Sequence, residues 1–170
     1  MPALQAGRFL PPFKMERMTW IKPSFNWMMY RSGYATKLGQ EIVLGIDITR
    51  VGFEWALNHA VLSRFTPSLH SSHDEWRRLL AETPVRVQWD PERDCRLNIV
   101  EGVRAIQIGL SGEAVKSYVG EWIVRIEDMT HVAHQIAADL ESGITPKNLP
   151  SESEVAYPLD VDLRRKLSWD

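Results

Sequence analysis

From Glu41 to Thr49 the chain reads EIVLGIDIT, with Ile42, Leu44, Ile46 and Ile48 on one face and Val43, Gly45 and Asp47 on the other. A two-residue period fits a half-buried β-strand and no helix. Shorter versions of the same alternation recur in VRVQW from Val85, in VRAIQIGL from Val103 and in EWIVRIED from Glu121. RMTWIKP, from Arg17, reads as a further short strand that Pro23 stops.

Between the strands the period changes. Ser24 can cap a helix over FNWMMYRSG, with Gly33 as its stop. GFEWALNHAVLS puts Phe53, Ala56, Leu57, Ala60 and Val61 on one helical face, which predicts that Trp55 is buried. SSHDEWRRLLAET is expected to be a helix capped by Ser72 with Glu75 three residues on. SGEAVKSYVG suggests a short helix, and HVAHQIAADLESG a longer one capped by Thr130 and closed by Gly143. DPERD, from Asp90, reads as a tight polar turn with Pro91 preset for it. After Pro146 no period is visible except a turn of helix at LDVDLRRKL. The expectation is one α+β domain over residues 1–170: a mixed sheet of about five strands with helices packed against it, ending in an irregular tail over 144–170.

Bulk properties narrow the function classes. The net charge of −2 gives no global basic field for nucleic acid or an anionic membrane. No apolar run approaches the roughly 20 residues a membrane span needs, and the start lacks a secretory apolar region. The single cysteine, Cys95, excludes an internal disulfide and a cysteine zinc cage. A soluble, cytoplasmic protein is the simplest reading, and a homodimer is compatible with it. Seven tryptophans are the one unusual count, and such residues line clefts as well as cores.

ERMTWIKPSFNWMMYRSG, from Glu16, crowds Trp, Met and Tyr among Lys, Arg and Glu. As a strand–turn–helix corner it would converge apolar anchors and charged tips on a rigid base, as ligand sites do. This block, with VRVQWDPER, IQIGLSGEAV and EWIVRIEDMT, resembles the family catalogued as domain of unknown function 4291, in family order from Pro11 to Thr130. Members of that family carry a further strand and helix ahead of this point, so the resemblance implies that residues 1–10, with LQAGRF, are the remnant of a longer N-terminal element. A weaker, fold-level resemblance is to ADP-ribosyltransferase-like proteins, whose strand order fits once such an element is restored. That likeness would imply NAD, although no matching catalytic Glu or His-Tyr-Glu triad stands in this chain.

The residues themselves nominate a site. Arg31 presents a planar fork for an anionic group, with Lys22 beside it as a point charge and Tyr30 or Glu16 handling a proton. These four are the expected catalytic groups. Arg17, Trp20, Trp27, Asp90, Glu92, Arg93 and Gln107 are the expected substrate-binding groups. Each has a plainer reading: Glu16, Arg17 and Lys22 as surface ion pairs, Tyr30 as an amphipathic helix residue, Asp90 in an Asx-turn, Arg93 paired with Glu92, and Gln107 satisfying a neighbouring backbone group. Glu127, His131 and His134 have offsets that suit a metal on one helical face, but Glu127 reads as strand and His131 as a helix start, so no metal is expected. His70 and His73 sit in a polar loop, and Cys95 has no histidine near it in sequence to activate it.

No phosphate loop, dinucleotide glycine fingerprint or nucleophile elbow occurs. The function expected is therefore that of a cofactor-independent lyase- or cyclase-type enzyme. It would use acid–base chemistry in elimination, addition or cyclisation of a polar or anionic small molecule, in secondary metabolism. The alternatives are an ADP-ribosyltransferase-like NAD-binding protein, and a non-catalytic nucleotide or RNA module in which Trp20 and Trp27 stack on bases.

Overall fold

The computed structural model describes residues 2–169. Ser24 accepts a hydrogen bond from the Trp27 amide (3.1 Å), which starts helix α2 (Phe25–Ser32). Gly33 ends it with φ 58°, a left-handed conformation that side chains with a Cβ resist. Ahead of it lie the one-turn helix α1 (Pro2–Ala6) and strand β1 (Thr19–Ile21).

Among the described residues the strands divide between two sheets. β1, β5 (Ile99–Leu110), β4 (Val85–Arg93) and β3 (Ala60–Leu62) lie in that order, antiparallel except for the parallel β3–β4 pair. The EIVLGIDIT stretch supplies β2 (Leu44–Ile48), which pairs antiparallel with β6 (Ile123–Asp128) as a separate ribbon. One core fills the space between them. Val85, Val87, Ile106 and Ile108 of the larger sheet are buried there, with Ile46, Ile48 and Ile123 of the ribbon packed against them. A second cluster joins Met29 of α2 to Ala133 and Ile136 of α6 (Thr130–Glu141).

Local sequence and fold differ at several points. The helical face expected to run through Val61 stops at Asn58, the end of α3 (Arg50–Asn58). Ala60, Val61 and Leu62 form β3, each buried and paired along Val85–Val87. A short apolar run carries no period of its own, and pairing in the sheet decided its state. Trp55 is half-buried rather than buried, stacked on His59 at 3.9 Å and tilted against Trp122 at 5.5 Å. DPERD is not a turn: β4 runs on through Arg93, and the reversal falls at residues 94–98. Pro91 is tolerated because β3 pairs β4 only as far as Val87, so no neighbour on that edge misses its N–H.

SGEAVKSYVG splits into α5 (Glu113–Ser117) and a π-turn (Tyr118–Trp122), so Trp122 precedes β6 instead of lying in it. Gly52 makes this possible, because a Cβ there would stand 2.3 Å from the Trp122 ring. Thr130 does not cap α6. Met129 holds that position, and the Thr130 hydroxyl accepts from the Val43 amide instead (3.1 Å). Helix α4 (His73–Glu82) starts where Ser72 predicts. The chain after Pro146 contains a 3-10 turn (Pro150–Ser153) and helix α7 (Val161–Lys166), and it buries Leu163 and Leu167 in the main core. Trp89 Nε1 donates to the Leu167 carbonyl at 2.7 Å, tying this segment to β4.

Candidate active site

The corner between β1 and α2 meets the far end of β4. Lys22 Nζ donates to Asp90 Oδ2 (2.7 Å) and to the Ala105 carbonyl (3.1 Å), and it lies 4.1 Å from the centre of the Trp27 ring. Gln88 donates to the other Asp90 oxygen at 2.8 Å. Burial lowers the Lys22 pKa, and the Asp90 hydrogen bond and charge oppose that shift. Further along, the Arg93 guanidinium sits 3.9 Å over the Tyr30 ring and donates to the Leu97 carbonyl (3.2 Å). The structure therefore joins Lys22 with Trp27 and Asp90, and Tyr30 with Arg93.

The remaining expected residues lie apart from these contacts. Glu16 and Arg17 are exposed in the loop before β1. Arg31 is exposed on α2, where its backbone carbonyl and Nη1 meet the Gln40 side-chain amide in the orientation that satisfies both groups. Gln107 stands opposite Gln88 across β4 and β5. Trp20 pairs with Gly109 on the edge strand and is 40% exposed.

Two hollows lie on either side of this junction. One, of about 1010 Å³, is bounded by the loop after β3 and the outer edge of β4. Asp90 is its only acidic lining residue among those described, and its charge is already matched by Lys22. The other, of about 870 Å³, opens between the sheets, with Leu44, Ile46 and Ile48 on one side and Ile21, Trp89 and Ile106 on the other. Lys22, Ser24, Glu92 and Glu154 stand together on its wall.

Glu92 reaches that wall through a register shift. β4 and β5 pair regularly to Pro91 and then slip before Arg93. Trp89 and Glu92, three residues apart, would face opposite ways in a regular strand, yet both line the cavity. Glu92 Oε1 accepts from Ser24 Oγ and from the Arg93 amide, each at 2.7 Å. Glu154 arrives from the C-terminal segment, and its Oε1 accepts from the Phe25 amide at 2.7 Å. Two carboxylates thus converge on the start of α2, where free amides and the helix dipole favour negative charge. Glu154 is exposed at the cavity rim, and partial desolvation of its carboxyl raises its pKa; the Phe25 amide opposes this, and the Glu92 charge adds to the rise.

Sequence reasoning misses Glu154 because it lies in a stretch without a period. The signal that could have found it is the spacing of Leu159, Leu163 and Leu167, which anchors the tail to the core and brings Glu154 back against α2. Among the described residues no group of three or more His, Cys, Asp or Glu converges as a metal cluster would. Nor is any helix among them long and apolar enough to cross a membrane.

Fold and site together define an α+β protein with a carboxylate pair at the wall of an inter-sheet cavity. The chain belongs to the family described as Domain of unknown function (DUF4291), which matches residues 1–155. No curated protein and no solved structure matches it.

Proposed function

We propose that the protein is a cofactor-independent enzyme acting by acid–base chemistry on a polar or anionic small molecule held in the 870 Å³ cavity. Elimination, addition or cyclisation is the reaction class, as part of a biosynthetic route in the cytoplasm, where a lone thiol such as Cys95 stays reduced. The observation that carries the reading is the unequal carboxylate pair. Glu92 receives two short hydrogen bonds, from the Ser24 hydroxyl and the Arg93 amide. Glu154 faces that charge with a raised pKa, which favours holding a proton. Two neighbouring carboxyls in unlike surroundings are a usual means of keeping one acid and one base at a single site. Glu154 then donates a proton and Glu92 accepts one. Lys22, locked to Asp90, positions the wall from which Glu92 projects. Of the nucleotide-binding alternative's residues, Arg17 and Arg31 are exposed and outside this cavity, while Trp20 and Lys22 line it.

The test follows the Glu154 carboxyl carbon by NMR against pH. Its midpoint should lie above that of an ordinary glutamate and fall back in Glu92→Gln. Turnover in a metabolite extract, followed by mass spectrometry, should drop by about 10²- to 10⁴-fold in the same variant, the usual worth of a positioned acid or base. A Glu154 midpoint that ignores Glu92→Gln would refute the pair.

A further inference from the structure

The rim of the same cavity also carries an exposed cation that no carboxylate among the described residues answers. Arg50 opens α3 and lines the cavity with Phe53 and Tyr157. The other basic groups there are engaged: Lys22 by Asp90, and Arg104 by the Ser168 carbonyl and the Trp89 ring. Arg50 makes no ion pair among the described residues. Glu54, one turn along α3, instead accepts from the Tyr157 hydroxyl at 2.6 Å. The position is also unfavourable for the helix, because the first turn bears the positive end of the dipole and a cation there is repelled. A side chain that opposes its own helix and is left unpaired on a cavity wall marks a place where local stability has yielded to another requirement.

The scale of the cavity fits one small molecule. Residues 154–157 form a strap from the acid pair to the neighbourhood of Arg50. Glu154 is bonded to Phe25 at one end, and Tyr157 packs on Phe53 at the other with ring centres 4.8 Å apart. Three residue steps reach at most about 11 Å. The wall between is apolar, with Leu44, Ile46 and Ile48. An aromatic or short aliphatic body fits that span.

We propose that the cavity takes a small molecule with one oxyanionic group, gripped by Arg50, an apolar middle, and its reacting end at Glu92 and Glu154; the placing of the reacting end rests on the acid–base role of that pair. A guanidinium fork suits a carboxylate or a phosphate monoester, and both carry the same chemistry to Arg50.

The probes are benzoate and phenyl phosphate, with neutral benzamide and cationic benzylamine as matched controls, read by thermal shift and by the tryptophan indole signals. At least one anion should bind, about tenfold or more tighter than benzamide, the scale of a lost charge-assisted hydrogen bond. Arg50→Gln should remove that preference, while the free protein melts no lower than the parent, since a cation leaves the first turn of α3. Arg50→Lys should restore part of it, and Arg77→Gln, on the exposed face of α4, should leave it intact. If the two anions differ by tenfold, the tighter one names the group. Equal binding of benzamide, binding unaffected by Arg50→Gln, preferred binding of benzylamine, or no binding by any probe would each overturn the proposal. Failure of the acid–base pair looks different: benzoate would still bind through Arg50 while the Glu154 midpoint ignored Glu92→Gln.

Discussion

Asp90 and Glu92 stand two residues apart on β4, and the protein treats them in opposite ways. Asp90 is closed off. Its side chain is 13% exposed and that of Lys22 2%, and the two share a 2.7 Å bond, with Gln88 on the remaining oxygen. Glu92, past the register shift, faces a second carboxylate across the start of α2 and opens on a cavity. Glu92 has hydroxyl and amide donors and no salt-bridge partner among the described residues. The matched pair holds the corner together, and the unmatched one is the carboxylate to which the proposed function gives proton exchange. The ladder irregularity lies between the paired carboxylate and the one that opens on the cavity.

The sharpest way to break this comparison is Lys22→Ala. It leaves the Asp90 charge largely out of water with only Gln88 to answer it, and loss of one member of a buried pair costs about 3–5 kcal/mol. Urea unfolding should show that loss. A loss below about 1 kcal/mol would mean that water reaches Asp90, and the contrast with Glu92 would collapse.

The same contrast separates what sequence could say from what it could not. Helix α2 was legible because Ser24 and Gly33 act locally, one by accepting an amide and the other by adopting a left-handed backbone. β2 was legible because its period spans enough residues to count. Lys22, Asp90, Glu92 and Arg93 could be nominated because each ends an apolar run with a polar tip. Which of the two β4 acids would be neutralised was hidden, because the answer depends on a register slip made by β5, and nothing in DPERD encodes it. β3 was hidden for a related reason: three apolar residues after a helix fit either state until Val85–Val87 lie beside them. Glu154 bonds Phe25 across 129 positions of chain, a separation at which no local pattern operates. Arg50 was overlooked because an arginine at a helix start looks like an ordinary exposed charge until a cavity is found in front of it.

A middle-sized effect comes from Ser24→Ala, which touches both sides of the comparison. The Ser24 hydroxyl caps α2 at the Trp27 amide and donates to Glu92. Loss of a cap costs typically about 1 kcal/mol, within a range of roughly 0.5–2. Stability should fall by that amount, and turnover in a metabolite extract should fall with it, because Glu92 loses the hydroxyl that holds it against α2. Ser24→Asn retains a capping acceptor and an amide donor, so it should recover most of the stability. A Ser24→Ala variant with undiminished turnover would show that the Arg93 amide alone positions that carboxylate.

The smallest effect is the most specific, and it concerns the sign of a pH dependence. The Glu154 pKa is raised in the folded chain, first by partial desolvation and then by Glu92. The folded state therefore binds a proton more tightly than the unfolded state does. Stability linked to Glu154 is fully present below its unfolded value and falls as pH rises toward its folded value. Glu154→Gln removes that loss while keeping an oxygen to accept from Phe25. At pH 7 the variant should melt slightly above the parent, and the difference should shrink to nothing as pH falls below the ordinary glutamate range. Melting curves collected from about pH 3 to pH 8, which bracket the ordinary glutamate range, test this. If Glu154→Gln instead melts lower at pH 7 and the gap closes on acidification, the carboxylate is stabilised by its amide partner more than it is strained by Glu92. Glu154 would then belong with Asp90, as a structural acid.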